Sequence, residues 1–238
     1  MQLFYNANLS DTSSSIIFDK DESRHIFKVL RFKAGDTLNV TNGRGLVVEA
    51  ALTLVDPKKA VAEIISSEKI APLPYHLHLA VAPTKLNDRY EWFLEKATEI
   101  GVSEITPIIC DHSERKVIKA DRYERILQSA MKQSLKAWLP TLNPAITLKE
   151  FLDAGPKIGI HCIAHCENSE KRSLKNVVVP HEPITILIGP EGDFSPNEIE
   201  QAIALGYTEI HLGTSRLRTE TAALVACHSV AFINQTST

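Results

Sequence analysis

ITILIGPEGDFSPNE, residues 184–198, runs a short apolar segment into a Gly-Pro-Glu-Gly turn and then into a helix start. Ile184 to Ile188 read as a buried strand bounded by turn residues. Ser195, Pro196 and Glu198 supply a helix cap, a first-turn proline and a capping-box glutamate. Strand, sharp loop and helix in that order are the repeating unit of a parallel sheet. Gly189 and Gly192 let backbone atoms approach a flat ligand closely, as reading an adenine without side-chain contacts requires. A purely structural turn has the same composition, so the loop alone does not decide between the two.

A second stretch, LGTSRLRTETAAL at 212–224, repeats the theme. Leu212-Gly213 end a strand, and Arg218, Glu220 and Thr221 stand where the next helix begins. Open parallel sheets bind ligands where strand ends meet helix starts. Working outward, YHLHLAVAP (75–83), EITPIIC (104–110), KIGIHCIA (157–164), ITILIG and TEIHLG (208–213) read as strands. Helices separate them: one capped by Asn87 or Asp88 and stopped by Gly101, one from Asp121 closed by Pro140, one from Pro196, and one from about Glu220 to Ile233. This alternation implies an α/β fold with a mainly parallel sheet covered by helices.

The first seventy residues differ. SSIIFD (14–19), DTLNVTN (36–42), GLVVEAALTLV (45–55) and KAVAEIIS (59–66) are closely spaced strands with turn signals at Asn42-Gly43 and Asp56-Pro57, which suggests a small barrel. Between the first two lies a short helix, DESRHIFKVL (21–30), capped by Asp21. Ile26, Val29 and Leu30 form its inward stripe, while Arg24, Lys28 and Arg31 share the opposite face by their i, i+4, i+7 spacing. Pro72 and Pro74 mark the change of pattern, so the expected domains are 1–72 and 73–238.

The 238 residues carry a formal net charge of -3, which argues against nonspecific coating of nucleic acid but leaves local patches open. Two basic segments stand out, Arg24–Gly35 and Arg115–Lys136. No apolar run approaches the roughly 20 residues that span a bilayer, and MQLFYNANLS lacks a secretion-signal pattern, so a cytoplasmic protein is expected. Cys110, Cys162, Cys166 and Cys227 show no disulfide framework. Neither a complete G-x-G-x-x-G turn nor a G-K-[ST] loop occurs, which argues against a Rossmann-type cofactor site and an NTPase. His161, Cys162, His165 and Cys166 offer soft ligands without a second pair to complete a zinc site, so no metal is expected.

The loops LIGPEGDFSPNEIE (187–200) and LGTSRLRTETAAL, with KATEIGVSEITPI (96–108) and RHIFKVLRFKAGD (24–36) upstream, resemble the 16S ribosomal RNA uracil-N(3)-methyltransferase family of the SPOUT superfamily, over nearly the whole chain. The resemblance implies a PUA-like, RNA-binding β-barrel followed by a SPOUT domain with a C-terminal trefoil knot, a homodimer, and 16S ribosomal RNA of the small subunit as substrate. It implies S-adenosylmethionine as cofactor, held by Ile188, Gly189, Glu191, Gly192, Leu212, Gly213, Leu217, Arg218 and Thr221. RNA contacts are expected from Arg24, Lys28, Arg31, Lys85, Arg89 and Arg115. The chain departs from the family pattern at Lys132-Gln133-Ser134-Leu135-Lys136 and at Lys85-Leu86-Asn87-Asp88-Arg89. Both changes keep positive charge nearby and bear only on the fine detail of RNA contacts, since lysine cannot reproduce arginine's planar fork.

Methylating uracil nitrogen 3 requires an in-line methyl donor, an outlet for the N3 proton and stabilisation of charge on the flanking carbonyl oxygens. Arg218 fits the last role and Glu220 is the candidate base. The acceptor nitrogen is engaged in a paired base, so the substrate uridine must be unpaired or extruded. Two other classes fit the same pattern: a noncatalytic RNA-binding assembly protein that keeps the fold, and a SPOUT enzyme acting on another RNA. Intact glycine loops with Arg218 disfavour the first, and the N-terminal barrel with RHIFKVL disfavours transfer RNA ribose as the target of the second.

Overall fold

The computed structural model describes residues 2–155 and 158–235. Two compact units result, one made of Met1–Pro72 with Gln128–Leu139, the other of Leu73–Leu127 with Pro140–Thr238.

In the first unit β1 (Leu3–Tyr5), β2 (Ser15–Ile17), β3 (Thr37–Thr41), β4 (Leu46–Leu54) and β5 (Val61–Lys69) form one curled sheet in the order β1-β3-β4-β5-β2. All pairings are antiparallel except β1 with β3. Alternation in β4 turns Leu46, Val48, Ala50 and Leu52 inward against Phe4, Phe18, Ile26 and Val40. β2 to β5 match the four strands expected from sequence. β1 is only three residues long and gave no periodic signal.

The short helix α1 (Lys20–Arg24) is capped by Asp19, not Asp21: the Asp19 carboxylate accepts from the Glu22 amide at 2.8 Å. A π-turn over His25–Val29 follows, closed by the Leu30 amide donating to the His25 carbonyl at 3.0 Å. The wider turn breaks the α-helical period on which the expected faces rested. Ile26 is buried and Leu30 packs on the core, but Val29 is 65% exposed and so is not part of the inward stripe. Arg31 leaves the helix in the left-handed region, φ 58°. Arg24, Lys28 and Arg31 are all exposed, though not as one regular helical face.

The second unit contains β6 (Leu77–Val81), α2 (Asn87–Ile100), β7 (Glu104–Ile109), the start of α3 (Ala120–Gln133), β8 (Thr141–Leu142), β9 (Ile146–Thr147), α4 (Leu148–Asp153), β10 (Ile160–Ala164), β11 (Arg172–Ser173), β12 (Ile184–Ile188), α5 (Pro196–Ala204), β13 (Thr208–His211) and α6 (Thr219–Ile233). The sheet order is β11-β13-β10-β12-β6-β7-β8, with β9 also on β7, and every neighbour pair is parallel. Every residue of β6 and β12 is buried, as strands covered on both faces must be. α6 packs on α2, β6 and β12.

Two helix ends differ from the sequence reading. α2 has no side-chain cap; Asn87 instead binds Glu91 through its amide nitrogen and accepts from the Tyr123 hydroxyl at 2.8 Å. α3 ends at Gln133, before Pro140, and Leu135 turns left-handed at φ 55°. The residues beyond it belong to the first unit, where Trp138 bridges Arg44 and donates through its indole nitrogen to the Ile70 carbonyl at 2.9 Å. Lys132 is spent on an ion pair with Glu22 at 2.6 Å, so its positive charge is compensated.

Candidate functional site

Because β10, β12 and β13 are parallel neighbours, their carboxyl ends open on the same edge of the sheet. A cavity of about 790 Å3 lies there, lined by Ile188, Gly189, Glu191, Leu212, Gly213, Leu217 and Arg218 among others. That volume is within the roughly 300–1,000 Å3 typical of small-molecule sites.

Three loops are tied together around it. The Thr219 hydroxyl donates to the Gly189 carbonyl at 3.0 Å, joining the loop after β13 to the glycine loop after β12. The Asp193 carboxylate accepts from the Cys166 amide at 2.6 Å, joining the glycine loop to the loop after β10. The expected capping box is present: Ser195 and Glu198 each bond the other's amide, at 3.3 and 2.8 Å. Asp111 extends it, accepting from the Ser195 hydroxyl at 2.7 Å while its amide donates to Glu198 at 2.9 Å. The rim therefore hangs on a network of buried caps and cross-loop bonds, a preorganised frame.

The two glycines of the turn have different reasons to be glycine. A Cβ on Gly189 would sit 3.0 Å from the ring of Phe194, itself 1% exposed, so the residue is squeezed between core and cavity. A Cβ on Gly192 would sit 3.0 Å from the Cβ of His112, whose ring hydrogen-bonds the Gly192 carbonyl at 3.0 Å. Gly192 is outside the cavity lining, so the expected room for a ligand there is taken by His112.

Seven of the nine expected cofactor residues line the cavity; Gly192 and Thr221 do not, Thr221 lying half-buried in the first turn of α6. Arg218 is the N-cap residue of α6, exposed, and its guanidinium has no hydrogen-bond or ion-pair partner among the described residues. Glu220 is not brought to the cavity. It is buried, with its carboxylate turned to Arg89 at 3.9 Å, because the first turn of α6 carries it to the opposite side from Arg218. Lys85 and Arg115 also have internal work. Arg115 donates to the carbonyls of Thr84 and Lys85 at 3.0 and 2.9 Å, Lys85 pairs with Glu114 at 2.8 Å, and the Lys85 amide donates to Glu191 at 2.9 Å. The Glu114 contact raises the Lys85 pKa above its ordinary value. These bonds brace the loop after β6 against the glycine loop. His165, Lys171 and Asp193 line the cavity without having been expected there.

An RNA methyltransferase domain model matches residues 71–231, and an RNA methyltransferase PUA domain model matches residues 18–65. A ribosomal RNA small subunit methyltransferase E of Buchnera aphidicola is 31% identical over 231 residues, covering 88% of this chain and 85% of that one. A crystal structure of a probable rRNA-methyltransferase from Porphyromonas gingivalis superposes with a TM-score of 0.90 at 40% identity, covering 99% of this chain and 100% of that one. The ribosomal RNA small subunit methyltransferase E of Neisseria gonorrhoeae, solved bound to S-adenosyl methionine, superposes with a TM-score of 0.86 at 28% identity, covering 98% of each chain. The combination of parallel sheet and separate curled sheet is thus that of the SPOUT-type RNA methyltransferases with a PUA-like domain. Within that class, the chain belongs to the family of ribosomal RNA small subunit methyltransferase E.

Proposed function

We propose that the protein methylates ring nitrogen 3 of a uridine in 16S ribosomal RNA of the small subunit, using S-adenosylmethionine. The observation that carries this reading is the cavity at the ends of β10, β12 and β13, with Arg218 on its rim unpaired among the described residues, in a chain of this family. The residues present fit such a cofactor. Gly189 opens the wall, and Leu212 and Leu217 offer apolar surface. The bound cofactor supplies an electrophilic methyl group. The chain's share is to bind and orient: the braced loops fix the walls, and Arg218 offers a guanidinium to the carbonyl oxygens that gain charge as nitrogen 3 loses its proton. Mass-spectrometric mapping of 16S RNA from a strain lacking the gene is expected to lose one methyluridine and to regain it on complementation; an unchanged map would refute the reading.

The first unit supplies RNA contact in this reading, as a PUA-like domain spanning about 1–72. Arg24, Lys28 and Arg31 are exposed around the π-turn, with Phe27 and Val29 also exposed between them. Cations that neutralise phosphates release counterions, so a triple alanine variant should flatten the slope of log affinity against log salt by about two units. An unchanged slope on ribosomal substrate would refute the assignment. Arg89, one-third exposed and next to Glu220, is a further candidate contact in the second unit.

The same reading includes a cytoplasmic homodimer and a trefoil knot in the C-terminal part. The chain path supports the knot: β13 lies beyond β10 from β12, and α6 returns to α2 and β6. For the dimer, α6 presents Phe232, 64% exposed with the His228 ring stacked on it, as an apolar contact. Light scattering at micromolar concentration should give twice the chain mass; a monomeric mass would rule the dimer out. No helix among the described residues is long and apolar enough to cross a membrane.

A further inference from the structure

His165 follows the carboxyl end of β10; the residue belongs to the cavity lining, and its side chain is only 1% exposed. Its Nε2 lies 3.0 Å from Oε1 of Glu209 on β13, and the Ser169 hydroxyl donates to the same oxygen at 2.5 Å. Those hydrogen bonds hold the Glu209 carboxyl below the usual carboxylate range, the Ser169 bond contributing most. An ionised carboxylate can only accept, so Nε2 carries the ring proton and Nδ1 presents a lone pair. Nδ1 is buried and has no hydrogen-bond partner among the described residues. Buried polar atoms are rarely left so, and a carboxylate that fixes one imidazole tautomer is a common way to aim the other nitrogen at a ligand.

We propose that His165 Nδ1 is a cofactor-binding acceptor, taking a hydrogen bond from an N–H or O–H group of the ligand in this cavity, with Glu209 as the positioning residue behind it. This rests on the S-adenosylmethionine reading of the same cavity, whose amino, ammonium and ribose hydroxyl groups are the donors available. The cofactor is favoured over the substrate base because His165 is a buried residue of the cavity lining, whereas Arg218, also a lining residue, is exposed. The segment His161–Cys166, read from sequence only as a poor metal site, thereby gains a role.

The charged groups around the ring are Glu209 on β13, Asp193 in the glycine loop and Lys171 in the loop after β10. Burial, with Lys171 adding to it, lowers the imidazole pKa below its ordinary value against the opposing pull of Glu209 and Asp193. The ring is therefore neutral at pH 7, and a proton arriving at Nδ1 in acid converts the acceptor into a donor. The imidazole should therefore add no pH dependence to cofactor affinity above neutrality and weaken binding only in acid.

Calorimetric titration of the intact chain with S-adenosylmethionine tests this. His165→Phe should bind on the order of tenfold to a hundredfold more weakly, since a ligand donor loses its buried partner. His165→Asn, whose amide oxygen falls near the place of Nδ1, should recover most of the affinity and lose the acid dependence that the parent shows. Parental affinity in His165→Phe would overturn the proposal. Parental affinity with a collapsed single-turnover rate would also overturn it, by giving Nδ1 to the RNA substrate. If His165→Phe melts early in thermal unfolding, the two pH profiles decide: equal acid dependence of parent and His165→Asn overturns the assignment. A parent that binds no S-adenosylmethionine at any pH would instead remove the cofactor reading itself.

Discussion

Arg218→Ala is expected to lower single-turnover methylation of the small-subunit substrate by about a hundredfold or more, the usual cost of deleting one aimed charge-stabilising donor. It should still fold and bind S-adenosylmethionine within several-fold of the parent. The structure supplies the reason for expecting that separation. The Arg218 side chain is exposed on the cavity rim and makes no hydrogen bond or ion pair among the described residues, so truncating it orphans no buried group. The Arg218 backbone, not its side chain, begins α6, and the bond that ties the two loops comes from the neighbouring Thr219. Arg218→Lys should rescue only in part, because an ammonium supplies charge without the planar fork that can face two oxygens. A near-parental rate in Arg218→Ala would make the residue structural, and lost cofactor affinity with a normal rate at saturation would make its role binding.

The separation between what could and could not be read from the sequence follows the range of the interactions. The loop 184–198 was legible because strand, glycine turn and capping box are all local patterns, and the structure has each of them where the residues call for it. The alternation of strand and helix after Pro74 was legible for the same reason. Side-chain destinations that depend on distant partners were not. Nothing near Glu220 in sequence announces that Arg89, more than a hundred positions away, draws its carboxylate from the cavity. Arg115 and Lys85 look like free cations until Thr84, Glu114 and Glu191 converge on them. The π-turn at His25–Val29 defeats helical spacing because a single extra residue per turn is invisible in a pattern of ten residues. His165 reads in sequence only as one of a poor set of metal ligands, because its partner Glu209 meets it only through the parallel pairing of β10 with β13.

Gly189→Val should abolish detectable cofactor binding, a loss expected to exceed about a hundredfold, while Gly189→Ala should cost much less. The two differ in what they ask of Phe194. An alanine Cβ would lie 3.0 and 3.1 Å from two ring carbons and 3.3 Å from the Phe194 amide nitrogen, a tight fit that a shift of a few tenths of an ångström relieves. Valine adds two methyl groups at the same point. Phe194 is 1% exposed within the cluster formed with Ile163, Leu187 and Ile199, so it has little space to retreat, and overpacking a filled core typically costs about 1–3 kcal/mol. The strain is released most easily toward the cavity, where Gly189 is a lining residue and its carbonyl anchors Thr219. Moving that carbonyl detaches the loop of Arg218 from the glycine loop, so both walls shift together. The comparison is made at Gly192→Ala, where the clash falls on His112 instead and cofactor affinity should drop far less. Calorimetry with S-adenosylmethionine on the three variants, with thermal unfolding to confirm that each is folded, decides the matter. Parental affinity in a folded Gly189→Val protein would place the cofactor elsewhere, and a larger loss in Gly192→Ala than in Gly189→Val would assign the ligand to the His112 side of the loop.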